Sequence, residues 1–416
     1  MTQPRIAPVL VLSLLLAAPA CGDDADASGA STTSTSDTSG GTATGPGTTD
    51  ATGDPGTTSN GATTGGTTGG EGVGCNGQSL LPRPAPDLPG PWPVGVRTAS
   101  IGRLTVEVWY PALPGSEAGA SPEVYDIRKA LPESEQGKIP DDDNPWQTCA
   151  CYRDLPPDDA HGPYPVVYFV HGTAGFRTQS LSQMTHWASR GFVVLAADHP
   201  GLWMADMLLF DMSGQDLQGD LDAMTAAVLA TDGDLAFLAG LVDPTRTGMA
   251  GHSAGGNAVG PRGDDAEVIV PMAAGGVSDG ARLASSLVLG AQSDQVVAYA
   301  QQVSGYESTP EPKRLVGLAN TGHLAFSDLC ALKNDQGQDL VEIAVEHGVM
   351  NANLAAGFLW DCEPSYLPPE DTTRVVNFAT AAVFEETLMC DAAAGAALDG
   401  IMGSFPTEVG EFRKAP

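Results

Sequence analysis

The chain has 416 residues, with 51 Asp and Glu against 19 Lys and Arg, for a formal net charge of −32. Residues 22–74 and Arg5 account for only six of those charges, so about −26 remains from Cys75 onward. A surface of that sign repels phosphate backbones and anionic lipid heads, which excludes nucleic acid as an expected partner.

Residues 1–21, "MTQPRIAPVLVLSLLLAAPAC", have one Arg, an apolar run short for a membrane span, and Ala18-Pro19-Ala20 before Cys21. That pattern predicts an export signal. Cys21 resembles the lipidated cysteine of bacterial lipoproteins, although Ala-x-Ala also suits ordinary signal cleavage. Residues 22–74 are almost entirely Gly, Ser, Thr, Ala and Asp, with no aromatic residue and no Lys or Arg. Too little apolar surface is available there to offset ordering entropy. The segment reads as a flexible linker with a reach of about 40 Å. From Cys75 to Pro416, about 340 residues suffice for one large α/β domain.

Within that domain, "RLTVEVWYPA" from Arg103 alternates as a half-buried strand and ends at Pro111. Residues 112–163 read as a Pro- and Asp-rich insertion. Its Asp141 to Asp143 invite a cation, with a solvated loop as the commoner meaning of such a run. "PVVYFVHG" and "GFVVLAADHPG" are continuous apolar runs of strand length, as buried parallel strands require. Between them "TQSLSQMTHWASRG" has helical spacing and stops at Gly191. Helical text around Asp216 to Leu241 is followed by the strands "RTGMAGHS", "AEVIVPMAAGG", "SSLVLGAQSD" and "KRLVGLANTGH". "TTRVVNFATAAVFEETLM" then predicts an amphipathic helix. The alternation predicts an α/β fold, a mostly parallel central sheet covered by helices on both faces.

Sites in such sheets form at the carboxyl ends of the strands. Gly251, Ser253 and Gly255 fit Gly-x-Ser-x-Gly between a strand and a helix, the context of a nucleophile elbow. A serine nucleophile needs a base, and the base an orienting acid. His323 and Asp294 stand at later strand ends, in the chain order Ser, Asp, His. Asp279 in "GGVSDG" competes with Asp294. The N–H groups of Ala254 and Thr173 are the expected donors to an oxyanion. His252, adjacent to the serine, should point away from it; His161, His186, His199 and His347 read as surface or core histidines. "GLWMADMLLF", Gly201 to Phe210, offers an acyl wall, a lid or a packed turn, and with Phe176 it supplies Trp203 as a substrate-binding candidate. Only about a dozen residues separate Ser253 from the next strand, so the helix after the elbow must be short.

The stretches "VVYFVHGTAGFRTQS", "WASRGFVVLAADHPG" and "GHSAGG" resemble bacterial proteins related to platelet-activating-factor acetylhydrolase and dienelactone hydrolase. Within that group the chain is similar to the serine esterases near cutinase-like polyester hydrolases. The resemblance spans roughly Val106 to His323 and implies an α/β-hydrolase fold, the triad Ser253, Asp294 and His323, and oxyanion donors at Thr173 and Ala254. Dienelactone hydrolases carry a cysteine nucleophile where this chain has Ser253, so lactone specificity does not carry over. The family's cysteine pair after the histidine implies a Cys330–Cys362 disulfide. Cys75, Cys149, Cys151 and Cys390 are left in an even set without an assigned pairing, and zinc spacing is lacking.

The expected activity is a serine carboxylesterase, without cofactor or metal, cleaving uncharged short- or medium-chain esters. The rival is a non-catalytic surface module on the same fold; among enzymes, the resemblance also allows acetyl-ester hydrolysis on phospholipids and polyester hydrolysis, which use the same triad. No large mobile lid is expected after the triad strands. A monomer is expected, exported and touching a membrane only through a lipid on Cys21.

Overall fold

The computed structural model describes residues 72–75 and 79–416. The export signal, Cys21 and the linker up to residue 71 lie outside the described residues. Strand pairing already begins at Gly72–Val73, antiparallel to Ser79–Leu80, just before the boundary that composition placed at Cys75.

The main sheet has ten strands: β1 Val94–Ile101, β2 Leu104–Pro111, β3 Tyr152–Arg153, β4 Tyr164–Val170, β5 Val193–Asp198, β6 Val242–His252, β7 Val268–Met272, β8 Ser285–Ala291, β9 Lys313–Leu318 and β10 Val409–Ala415. Their order is β10-β9-β8-β7-β6-β4-β5-β2-β1-β3. From β5 through β9 every neighbour is parallel. Antiparallel pairs close the flanks, β9 with β10 at one end and β5–β2–β1 at the other.

Period-two alternation decides which side chain serves which face. In β4, Val167 and Phe169 enter one core, while Val166, Tyr168 and Val170 enter the other. β5 divides in the same way, Val194 and Ala196 against Val193, Leu195 and Ala197. Numbering from α1 (Leu181–Ser189), with α5 at Tyr299–Ser308, helices α1 and α8 (Pro369–Leu388) cover the first face. Met184, Trp187, Val383 and Phe384 join its core, with the Trp187 and Phe384 rings edge to face at 5.3 Å. The second face is covered by α3 (Leu217–Ala230), through Leu221, Met224 and Val228. Burying such side chains contributes about 1.5–3 kcal/mol each, so both faces are anchored by apolar area rather than by charge.

The 112–163 segment is ordered. Val124–Tyr125 pairs with Gln147–Thr148, and β3, inside the supposed insertion, adds a parallel edge strand to β1. Among the described residues three disulfides are present: Cys75–Cys390, Cys149–Cys151 and Cys330–Cys362. Such pairing fits an oxidising compartment. Among the described residues no helix is long and apolar enough to cross a membrane.

Candidate active site

Because β6, β8 and β9 run parallel, the residues following them emerge on one edge of the sheet. Ser253 follows β6, Asp294 follows β8 and His323 follows β9. Ser253 caps the six-residue helix α4 (Ala254–Val259), as short as the spacing required. Its φ of 55° lies in the left-handed region, uncommon for a side chain other than glycine. The strained turn is held by the Ser253 N–H, which donates to the Met272 carbonyl at 2.8 Å. A Cβ on Gly255 would come within 2.1 Å of the Val170 carbonyl, so only glycine lets the helix start this close to β4.

His323 Nδ1 is 2.8 Å from Asp294 Oδ2, and both side chains are buried. Gln302 also donates to Oδ2, and the N–H groups of Val296 and Val297 donate to Oδ1. Four donors thus fix the Asp294 carboxylate. Asp279, the competing acid, is exposed and bonds only locally, to Gly280 N–H. The structure brings Asp294, not Asp279, to the histidine. Asp361 accepts from the backbone N–H of His323 at 2.8 Å and so fixes the loop that carries the imidazole.

Ala254 is the first residue of α4, where helix geometry leaves the N–H without an intrahelical acceptor. In the loop after β4, Ala174 N–H donates to Leu202 and Gly175 N–H to Gly172. The Thr173 N–H between them meets no acceptor among the described residues. Both N–H groups that the sequence nominated are therefore uncommitted at this edge.

Two quoted motifs turn out to be halves of one support. Arg177 of "FRTQ" ion-pairs with Asp198 of "DHPG", and its backbone N–H donates to the same carboxylate. His199 N–H donates to His171 Nε2 across the same gap. Gln179 completes the motif: its Oε1 accepts from Gly172 N–H, and its Nε2 donates to His252 Nδ1. His252, expected to point away from the serine, donates from Nε2 to the His323 carbonyl and so braces the histidine loop. Its local glycine-rich text carried no signal for that contact.

The remaining histidines have partners that explain them. His161 meets Asp158, His186 donates to the Pro86 carbonyl and His199 meets Asp220. Asp141 pairs with Arg128 and Asp143 with His347. Those pairs give two of the three carboxylates a partner, and Asp142 is exposed.

An apolar cavity of about 130 Å³ adjoins Thr173, Ala174 and Leu324. The candidates Phe176 and Trp203 do not line it. Phe176 is 3% exposed and, with half-buried Trp203, packs in a cluster behind Leu324 and Leu329. Their neighbours in the "GLWMADMLLF" stretch, Met204 and Leu208 of helix α2 (Met204–Leu208), do line it. So do Ile127, Leu131 and Ile139 of the former insertion and much of the segment after His323. That last segment, with α6 (Leu340–Glu346) and α7 (Ala352–Leu359), forms a helical cap that the sequence reading did not identify. The apolar residues responsible are spread over distant stretches, none long enough to stand out alone.

A parallel sheet, a serine on a strained strand-to-helix turn and an Asp–His pair on the same edge define the α/β-hydrolases. The family model of platelet-activating factor acetylhydrolase, isoform II, matches residues 148–202, the stretch holding "HG…FRTQ" and "DHPG". By that resemblance the chain is an esterase-type hydrolase. Its fold is similar to that of a ferulic acid esterase from Streptomyces cinnamoneus, at 19% identity and a TM-score of 0.50 over 72% of this chain and 92% of that one. No curated protein matches.

Proposed function

We propose that the chain is a serine-dependent carboxylic ester hydrolase acting on uncharged short- or medium-chain acyl esters. The observation that carries the reading is the buried His323–Asp294 pair on the sheet edge where Ser253 is held at φ 55°. Asp294 engages Nδ1, which leaves Nε2 to take the Ser253 proton as Oγ attacks the ester carbonyl. The N–H groups of Thr173 and Ala254 receive the oxyanion, in the role where a single donor contributes about 3–4 kcal/mol. Collapse expels the alcohol, which takes the proton from His323. Water then repeats the sequence on the acyl-enzyme, releasing the acid and restoring Ser253. Phe176 and Trp203 back the substrate wall rather than touch substrate. Arg128, a cation at the cavity, is engaged by Asp126 and Asp141. No anionic head group is called for there.

The same reading has the protein exported by residues 1–21, lipidated on Cys21, tethered through residues 22–74 and active as a monomer. Labelling with a fluorophosphonate probe followed by peptide mapping tests the mechanism. The adduct belongs on Ser253, and Ser253→Ala should abolish both labelling and p-nitrophenyl acetate hydrolysis. A Ser253→Ala protein retaining more than about a hundredth of the turnover overturns the assignment, because removing a triad serine costs far more.

A further inference from the structure

Every cap residue that lines the apolar cavity, from Leu340 to Trp360, lies inside the loop closed by Cys330–Cys362. The disulfide pins both ends of that loop beside the histidine segment, Cys362 directly following the Asp361 that holds the His323 N–H. Opposite the cap stand Ile127, Leu131 and Ile139, and the floor is the oxyanion loop at Thr173 and Ala174. Leu131, Ile139, Leu208, Ile343, Val349 and Ala352 form one buried cluster across this boundary. The walls are almost wholly aliphatic.

We infer that this cavity, with its volume of about 130 Å³, is an acyl-chain site selecting linear aliphatic acyl groups of medium length, about six to ten carbons. The inference rests on the serine-esterase reading and narrows it. Three features favour this occupant. Apart from Arg128, Asn144 and Thr173 the walls are apolar, so a polar or sugar-bearing group would find few directional hydrogen-bond partners. The charge of Arg128 is matched by Asp126 and Asp141, so a carboxylate or phosphate entering the cavity would be desolvated without a free counter-ion. The cavity borders Thr173 and Ala174, in the loop that would receive the carbonyl oxygen, which sets it beside the acyl half of a bound ester.

Burial of a methylene is worth about 0.8 kcal/mol, close to a fourfold change in kcat/KM. The test is a p-nitrophenyl ester series from acetate to dodecanoate, run on the disulfide-intact protein, with kcat/KM measured for each acyl group. The expected profile rises about fourfold per methylene beyond butyrate, to a maximum between hexanoate and decanoate. Ala356→Phe, which fills the cavity from α7, should lower the octanoate-to-acetate ratio of kcat/KM at least tenfold; Ala355→Leu provides a second, milder filling. Acetate turnover reports that each variant is folded. An optimum at acetate, equal loss on acetate and octanoate in both variants, or length dependence only in the alcohol half of alkyl acetates would overturn the acyl-site inference. Those results leave the serine mechanism standing. Its own failure shows separately, as acetate turnover that survives Ser253→Ala.

Discussion

His252 donates from Nε2 to the backbone carbonyl of His323 at 2.9 Å, and the two imidazole rings lie 4.8 Å apart. The carbonyl can only accept, so Nε2 carries the proton and Nδ1 is the acceptor for Gln179. Burial, then the neighbouring His323 imidazole, push the His252 pKa down to about 3, which keeps that tautomer neutral. Through Gln179 the same ring reaches Gly172 N–H, and a Cβ on Gly172 would come within 2.8 Å of Nδ1. One side chain therefore links the serine turn, the histidine loop and the oxyanion loop. It is a positioning residue. His252→Ala should lower kcat about 10- to 100-fold with little change in KM, since a misplacement of about 1 Å costs on the order of 100-fold. His252→Gln, which keeps a donor near the Nε2 position, should recover part of the loss. Equal damage by both variants, expressed in KM, would assign the residue to substrate binding instead.

The choice between the two acids is open to a direct comparison. Asp294 holds four donors including His323, whereas Asp279 is exposed and bonded to Gly280. Asp294→Asn presents an amide to Nδ1 and favours the wrong tautomer, for which a loss of about 10⁴ in kcat is the expected scale. Asp279→Asn should stay within about twofold of the parent, as exposed substitutions usually do. Kinetics on p-nitrophenyl acetate decide the matter, and a severe Asp279→Asn phenotype would reverse it.

The residues that face the chemistry were legible because their signal is local. Ser253 lies in a five-residue pattern between strand and helix text, and Asp294 and His323 end apolar runs of strand length. The central strands were legible for the same reason: burial on both faces makes them continuous apolar runs. What the sequence hid depends on contacts between distant segments. β1, β3 and β10 are flanking strands without such runs, and β3 consists of only Tyr152–Arg153. His252 and Gln179 lie 73 positions apart, and Asp361 lies 38 beyond the backbone N–H it accepts from. The cavity draws on the 127–145, 204–208 and 340–360 stretches, so no window of residues announces it. Phe176 and Trp203 were chosen for size and aromaticity; packing put those bulky rings in the supporting layer and left aliphatic side chains at the surface of the cavity.

The Cys330–Cys362 disulfide closes a loop with a sequence separation of 32, for which chain entropy gives roughly 3 to 4 kcal/mol of stabilisation. Because the loop carries α6 and α7, the cap should respond before the sheet does. Replacing both cysteines with alanine should lower the melting temperature and raise KM for octanoate several-fold more than KM for acetate. Urea unfolding together with paired KM measurements checks both parts. A double variant with unchanged KM on octanoate would mean that helix packing alone holds the cap.

Three buried histidines set an acid limit on stability. Burial is the first cause in each: His171 is pushed down to about 3, with His199 adding to the effect, His252 to about 3, and His186 to about 4 beside Arg190. Unfolded, each would titrate near 6.5. Below that value the unfolded chain takes up protons that the native chain refuses, so stability is full above about pH 6.5 and falls as pH drops toward 4. Two carboxyls act in the opposite direction. Burial raises Asp328 to about 6 and also raises Asp198, so protonating them favours the native state over part of the same window. Three histidines outnumber the one carboxyl raised to about 6, and each proton not offset costs about 1.4 kcal/mol per pH unit. Calorimetry at pH 7, 6 and 5 should therefore show a melting temperature that falls at each step. His186→Gln, which retains a donor for the Pro86 carbonyl, should flatten the slope by about one proton while leaving activity at pH 7 unchanged. A melting temperature that holds or rises from pH 7 to 5 would show that the carboxyls, not the histidines, govern the acid side.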